Sequence, residues 1–365
     1  AVTSPASSLA PPRLASAMER FATSSLPESI SAEQAAIFAS ASAVELPHTP
    51  RCSANGSGGV HAAIEASATE TNIAARNFIP APRFNPASAA LDLDAPCAPW
   101  CVYLAGSNAL ANLFDLSGKT AIITGSSKGI GKAIAHRMAE HGANVVVSSR
   151  KGDACAAAVE EINVATGRNA AIAIPANIAS KEALQHLADE TRRAFGQIDI
   201  LVCNAASNPY FGPMENIADE QFSKILQNNI ISNHWLIAMC APEMRARKDG
   251  AIVIVSSIGG LRASPVLGAY GISKAADMQL ARNLALEFGG DNVRVNAIAP
   301  GLVQTDFAKA LWDNPEILKT YTARSCLHRI GQPDEIAGMA VFLTSPAGAF
   351  TTGQTFVIDG GQTVV

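Results

Sequence analysis

The stretch that most restricts this chain is an apolar run passing directly into a glycine-patterned turn. Ala121-Ile122-Ile123 leads into Thr124-Gly125-Ser126-Ser127-Lys128-Gly129-Ile130-Gly131, and helical periodicity follows over 130–140. Glycines at these points allow a tight strand-to-helix turn and a close approach of main chain to a ligand. The amino end of the helix then offers unpaired N–H groups and a positive partial charge to a diphosphate. A glycine-rich turn alone is often only a turn. Set after a strand and before a helix, it reads as the nucleotide-binding corner of a parallel sheet.

The downstream sequence repeats that alternation. Strands are expected over 121–123, 144–149, 171–175, 199–203, 251–256, 292–297 and 355–358, with helices over 152–166, 181–195, 219–245 and 273–288. Unbroken apolar runs such as Ile252-Val253-Ile254-Val255 fit strands buried on both faces. Seven strands joined right-handed through helices give an α/β, Rossmann-like, doubly wound parallel sheet in a single domain. Its ligand belongs beyond the carboxyl ends of the strands.

Composition changes near residue 112. Residues 1–118 contain no lysine and are crowded with Ala, Ser and Pro, whereas regular apolar runs begin after Lys119. Residues 1–112 are therefore expected to be a largely disordered leader, with short helices at most in the Ala-rich patches 32–43 and 62–75, and residues 113–365 the folded domain. A net charge of −4 supplies no basic field for nucleic acid, so none is expected as a partner. No apolar run is long enough to span a bilayer, and no membrane association is expected. The nearest cysteine pair, Cys97 and Cys101, lacks a second pair, so no metal is expected. Reduced thiols suit a cytoplasmic protein. Organellar import by the leader is the alternative, against which Glu28, Glu33, Glu45, Glu65 and Glu70 count.

Tyr270 and Lys274 stand four residues apart and share one helix face. A phenol titrates near pH ~10, and a neighbouring ammonium favours its ionised form, bringing it toward working range. Tyr270 can then pass a proton to or from a carbonyl oxygen. Ser257, at the end of a buried strand, can hydrogen-bond the same oxygen. Arg150 lies just past the second strand, where an acidic residue would bind the ribose 2′-hydroxyl of NAD. Ser148-Ser149-Arg150-Lys151, assisted by Lys128, instead suits a 2′-phosphate, so the expected cofactor is NADP(H).

Over residues 114–361 the chain resembles the short-chain dehydrogenase/reductase superfamily. The resemblance rests on the turn from Thr124 to Gly131, Asn204-Ala205, Asn229, Ser257, Tyr270, Lys274 and Pro300-Gly301. It implies that Asn229 organises a water linking Lys274 to solvent, and that Lys274 also binds the nicotinamide ribose. Cofactor contacts are implied from Gly125, Ser127, Lys128, Gly129, Ile130, Gly131, Arg150, Asn177, Asn204, Ala205, Pro300, Gly301, Val303 and Thr305. The chain departs from the family at Cys203-Asn204-Ala205-Ala206, where Asn-Asn-Ala-Gly is usual, and at Asn177, where an aspartate is usual. Neither departure touches proton transfer.

Within the superfamily, the segments 204–212 and 299–312 resemble NADPH-dependent carbonyl reductases of the peroxisomal carbonyl/retinal reductase type. The implied pocket, with Asn208, Tyr210, Ile258, Leu261 and the stretch 303–321, suits a medium-sized hydrophobic ketone or aldehyde. Packing of the loop alone is the competing reading of those side chains. A 3-oxoacyl-thioester (acyl-carrier-protein) reductase is a second reading, with Arg262 and Arg324 as rim cations. A non-catalytic NADP-sensing protein is a third, against which intact Asn229, Ser257, Tyr270 and Lys274 count. Apolar residues Ile225, Leu226, Ile230, Trp235, Leu236, Leu280 and Leu284 surround much of two helices, so a homotetramer or homodimer is expected.

Overall fold

A computed structural model describes residues 112–365. The leader, its two Ala-rich patches, and Cys97 and Cys101 lie outside the described residues. The apolar runs form seven strands: β1 (Thr120–Thr124), β2 (Asn144–Ser148), β3 (Ala171–Ala173), β4 (Ile200–Cys203), β5 (Gly250–Val255), β6 (Val293–Pro300) and β7 (Thr355–Ile358). All pair in parallel in the order β3-β2-β1-β4-β5-β6-β7. The chain builds outward from β1 in one direction, then restarts at β4 on its other side. That reversal opens a crevice at the carboxyl ends of β1 and β4.

Every residue of β1, β4 and β5 is buried, which is why these segments read as continuous apolar runs. The pleat sends alternate side chains to opposite layers. Ala121 and Ile123 pack with helices α1 (Gly129–Glu140) and α2 (Gly152–Thr166), while Ile122 packs with α3 (Lys181–Phe195) on the other face.

The helix expected over 219–245 is divided into α4 (Asp219–Leu226), a π-helical segment (Gln227–Ile231) and α5 (Ser232–Arg247). The cause is local: Asn229 turns inward, where its amide is bound by backbone outside the helix (below). The widened turn accommodates that side chain. The next helix, α6, starts at Gly268 rather than 273 and runs to Phe288, so Tyr270 sits in its first turn. After β6 come a short helix α7 (Lys309–Trp312), α8 (Pro315–Ala323) and α9 (Pro333–Thr344). The strand-and-helix pattern had no place for α8 and α9. Each carries proline in its first turn, a helix start that is legible in retrospect. No helix of the described residues is long and apolar enough to cross a membrane.

Ile122 is fully buried at the centre of the sheet. Ile122→Ala is expected to cost about 2–5 kcal/mol through lost burial and a residual cavity. A urea midpoint equal to the parent's would show that the two layers do not meet through this side chain.

Candidate active site

The crevice is fixed first by Thr124, the last residue of β1. Its hydroxyl accepts the N–H groups of Asn204 at 3.0 Å and Ala205 at 3.1 Å, tying together the carboxyl ends of β1 and β4. The Asn204 amide returns the contact, donating to the carbonyls of Thr124 at 2.9 Å and Gly125 at 3.2 Å. Gly125 adopts φ +66°, in the left-handed region that favours glycine. A Cβ on Gly131 would lie 2.5 Å from both the Gly125 carbonyl oxygen and the Asn204 amide nitrogen. The turn is thus pressed flat against Asn204. The first turn of α1 has no side-chain cap and no acidic residue, so its N–H groups face the crevice unneutralised. This cradle fits a dinucleotide diphosphate.

The remaining residues expected at the cofactor sort by position. Ser127 and Ile130 are half-buried in the turn. Arg150, just past β2, is exposed and enters no salt bridge among the described residues. Lys128, expected to assist Arg150, instead meets Asp306 at 2.9 Å, an exposed pair that links the turn to the segment after β6. This contact holds the Asp306 carboxyl below the usual carboxylate range. Asn177 is exposed, and its side chain accepts the Ala179 N–H at 3.2 Å. Pro300 ends β6, and a Cβ on Gly301 would lie 2.8 Å from the Asp359 backbone. Val303 is buried and pairs with Gly331, while Thr305 caps the following turn and touches the Gly129 position from across the crevice.

Asn229, Ser257, Tyr270 and Lys274 converge beside this cradle. Ser257 follows β5, its hydroxyl accepts the Gly259 N–H at 3.0 Å, and it stands near enough to the Tyr270 phenol to favour the ionised form. One turn along α6, Lys274 is only 2% exposed, with its ammonium 5.8 Å from the Tyr270 ring centre. The ammonium donates to the Val255 carbonyl and to Asp277 Oδ2, each at 2.9 Å. Asp277 Oδ1 accepts from the Asn233 amide at 3.1 Å, and the same amide reaches the Asn229 carbonyl at 2.7 Å. The Asn229 side chain accepts the Ser207 N–H at 2.8 Å and donates to the Ser207 carbonyl at 3.1 Å and Ser273 Oγ at 3.0 Å. A continuous chain of hydrogen bonds therefore runs from Lys274 through Asp277 and Asn233 to the Asn229 carbonyl.

Electrostatics correct one expectation. Burial pushes the Tyr270 phenol above its ordinary value; the Lys274 ammonium and the Ser257 hydroxyl oppose that, and Asp277 adds to it. The net direction is upward, so the neighbouring cation does not carry the phenol below its usual range. For Lys274, burial works against the ammonium, but Asp277 and then Tyr270 outweigh it and keep the cation protonated.

The expected pocket residues separate. The Tyr210 hydroxyl donates to the Pro213 carbonyl at 2.7 Å, so it is engaged by its own loop. Asn208 keeps a buried side-chain oxygen with no protein partner. Ile258 is half-buried next to Ser257, and Leu261 is exposed. Exposed apolar side chains stand on the loops after β4, β5 and β6, namely Phe211, Met214, Leu261 and Phe307, with the Phe307 ring 6.1 Å from that of Tyr270. Phe307 falls within the stretch 303–321 expected at the pocket, whereas Asp277 and Asn233 carry no mark in the motif reading. Asp277 had a signal: it occupies the buried stripe of α6 with Ser273, Lys274, Ala281 and Leu284, where an acid is out of register with its neighbours.

A family model described as enoyl-(acyl carrier protein) reductase matches residues 125–363. The dehydrogenase/reductase SDR family member 4 of Bos taurus is 39% identical over 275 residues, covering 74% of this chain and 97% of the bovine protein. The solved structure of a 7α-hydroxysteroid dehydrogenase complexed with NADH and 7-oxo glycochenodeoxycholic acid is 38% identical, with a TM-score of 0.65, covering 68% of this chain and 96% of that one. A gluconate 5-dehydrogenase from Burkholderia cenocepacia in complex with NADP and tartrate is 30% identical, with a TM-score of 0.66, covering 69% and 98%.

Alanine is the better helix former by about 1 kcal/mol, so Gly131→Ala at an unclamped position would stabilise the protein. Here the added methyl meets backbone and the Asn204 amide, and a loss of about 1–3 kcal/mol is expected from urea unfolding. A gain in stability would show that the turn is not held against Asn204.

Proposed function

From the premise that this chain belongs to the short-chain dehydrogenase/reductase superfamily and is an oxidoreductase, we propose that it transfers hydride between NADP(H) and a carbonyl or secondary alcohol, reducing a medium-sized hydrophobic ketone or aldehyde. The observation that carries this reading is the meeting of Ser257, Tyr270 and Lys274 beside the uncapped glycine turn. The bound nicotinamide supplies the hydride. Gly125, Gly129, Gly131 and the first turn of α1 would hold its diphosphate. Ser257 and Tyr270 hold the substrate oxygen through their hydroxyls. Tyr270, with its phenol raised by burial, keeps its proton at neutral pH and gives it to that oxygen as negative charge develops there. Lys274 stabilises the phenolate left behind, and the hydrogen-bond chain through Asp277 and Asn233 to Asn229 holds it in place.

Relatives alone do not choose the cofactor, since one solved neighbour is complexed with NADH and another with NADP. Arg150 supports NADP(H): it is exposed where a 2′-phosphate would lie, and Ser148-Ser149-Arg150-Lys151 contains no acid. Lys128 is shared with Asp306, so Arg150 carries more of the recognition. The apolar rim of Phe211, Met214, Leu261 and Phe307 favours a hydrophobic carbonyl. The thioester reading is weakened at Arg262, whose guanidinium is engaged by the Gln362 carbonyl.

The expected oligomer is supported only in part by the residues singled out in the sequence. Ile225, Leu236 and Leu284 are buried within one chain, and Leu226, Ile230, Trp235 and Leu280 are half-buried. Ile231, Ile272 and Leu286 are the exposed apolar residues of this region and support a homodimer or homotetramer.

Tyr270→Phe is expected to lower NADPH oxidation with a panel of diketones, aldehydes and a 3-oxoacyl thioester by about 10²–10⁴-fold. Parent-like turnover by this variant would defeat the mechanism. Arg150→Asp is expected to reduce the kcat/KM preference for NADPH over NADH by about ten-fold or more, the scale of a lost charge-assisted hydrogen bond. An unaltered preference would remove Arg150 from cofactor selection.

A further inference from the structure

Three cations stand on the two turns read as the cofactor's binding surface: Lys128 in the glycine turn, and Arg150 and Lys151 after β2. The turns themselves, residues 124–131 and 148–151, contain no acid. Arg150 and Lys151 are exposed and enter no salt bridge among the described residues, whereas the Lys128 ammonium is committed to Asp306 Oδ2 at 2.9 Å. An exposed pair of this kind adds about 0–1 kcal/mol to stability, so the fold does not depend on it. Its consequence is that one of the three cations is already occupied.

Asp306 reaches Lys128 from 178 positions away because the backbone around it is fixed. Its neighbour Thr305 lies against the glycine turn, with the Thr305 methyl 3.2 Å from where a Cβ on Gly129 would stand. The Thr305 carbonyl accepts the Trp312 indole N–H at 2.8 Å, and the Thr305 hydroxyl accepts the Ala308 N–H at 3.3 Å, closing the turn Asp306–Ala308. Val303, two residues before Thr305, is buried and bridges to Gly331. The carboxylate is thus delivered to the one cation of the glycine turn.

We propose that Asp306 is a selectivity residue for the cofactor: by holding the Lys128 ammonium it withholds that cation from the 2′-phosphate of NADP(H), and so lowers the preference of this chain for NADP(H) over NAD(H). The proposal rests on the reading of Arg150 and Lys128 as cations for the 2′-phosphate. A phosphate that reaches Lys128 must either break a formed ion pair or share the ammonium with a carboxylate of like charge. NAD(H) carries no 2′-phosphate and leaves the pair untouched. Discrimination between the two cofactors then falls on Arg150 and Lys151. Because the two side chains are 67% and 68% exposed, the effect is modest in size and open to screening by salt.

The test is calorimetric titration of the full chain, without carbonyl substrate, with NADPH, NADH, adenosine 2′,5′-bisphosphate and 5′-AMP, the last two differing only in the 2′-phosphate. In Asp306→Asn, NADPH and the bisphosphate are expected to bind about two- to five-fold more tightly than to the parent, with NADH and 5′-AMP unchanged. The gain is expected to shrink as sodium chloride is raised from about 0.05 to 0.5 M. Asp306→Glu keeps the charge, and Asp313→Asn removes an equal charge from the same segment, where it lies 4.0 Å from Lys309, without freeing Lys128. Both are expected to keep the parent's ratio of affinities. An unchanged or weakened affinity for NADPH in Asp306→Asn overturns the proposal, as does NADH binding that tightens equally, an equal gain in Asp306→Glu or Asp313→Asn, or a gain that salt leaves untouched. The two readings fail separately. If the parent binds the bisphosphate more tightly than 5′-AMP and Asp306→Asn changes nothing, the 2′-phosphate site stands and Asp306 has no part in it. If the parent does not distinguish the two fragments and Arg150→Asp alters neither, the 2′-phosphate site falls and the role of Asp306 with it.

Discussion

Two strand ends that are far apart in sequence, Thr124 and Asn204, are locked together by reciprocal hydrogen bonds, and the rest of the site is built on that lock. It closes the gap between β1 and β4, the two strands from which the sheet grows in opposite directions. The same Asn204 amide sets the floor against which the glycine turn is pressed, so no side chain can stand at Gly131. The uncapped end of α1 then faces the crevice by default. A backbone surface made in this way needs little reorganisation to receive an anion, the condition under which fixed dipoles act most strongly.

A second constraint is how a buried cation is kept charged next to a phenol. Desolvation alone would favour neutral lysine. Asp277 reverses that, and Asn233 supplies the carboxylate's other oxygen with a donor, so no charge in the cluster is left without a partner. The π-helical segment belongs to the same solution. By widening one turn it lets Asn229 bind Ser207 and Ser273 through its side chain, while its carbonyl accepts from Asn233. Four elements (the loop after β4, the π segment, α5 and α6) are thereby tied to one lysine.

The doubly wound sheet was readable because its central strands are buried on both faces and therefore appear as plain apolar runs, with helix bounds such as Gly152–Thr166 and Lys181–Phe195 agreeing residue for residue. The glycine turn and the Ser257, Tyr270, Lys274 set were readable because each chemistry demands particular residue types at particular spacings. Asp277, Asn233 and the break at Gln227–Ile231 were not. An i, i+3 acid beside a lysine ordinarily describes an exposed helix pair, and only burial, which depends on how α6 packs on the sheet, makes it part of the site. The direction of the Tyr270 phenol was misjudged for the same reason: the cation is visible in the sequence, whereas the desolvation that outweighs it is a property of the fold. The ion pair of Lys128 with Asp306 was not legible either, since the two lie 178 positions apart.

The site divides into a rigid half and a loosely tied half. On the β4, β5 and α6 side, contacts are buried, and the Lys274 ammonium and both Asp277 oxygens have partners, so displacement would leave desolvated charges unpaired. On the β6 side, the segment carrying Asp306 and Phe307 is held to the glycine turn by an exposed ion pair, a kind of contact that solvent and salt weaken readily. Proton transfer needs fixed distances and belongs to the first half. The apolar carbonyl proposed as substrate would pass Phe307, on the half whose link to the glycine turn is this exposed pair, away from the buried contacts of the lysine.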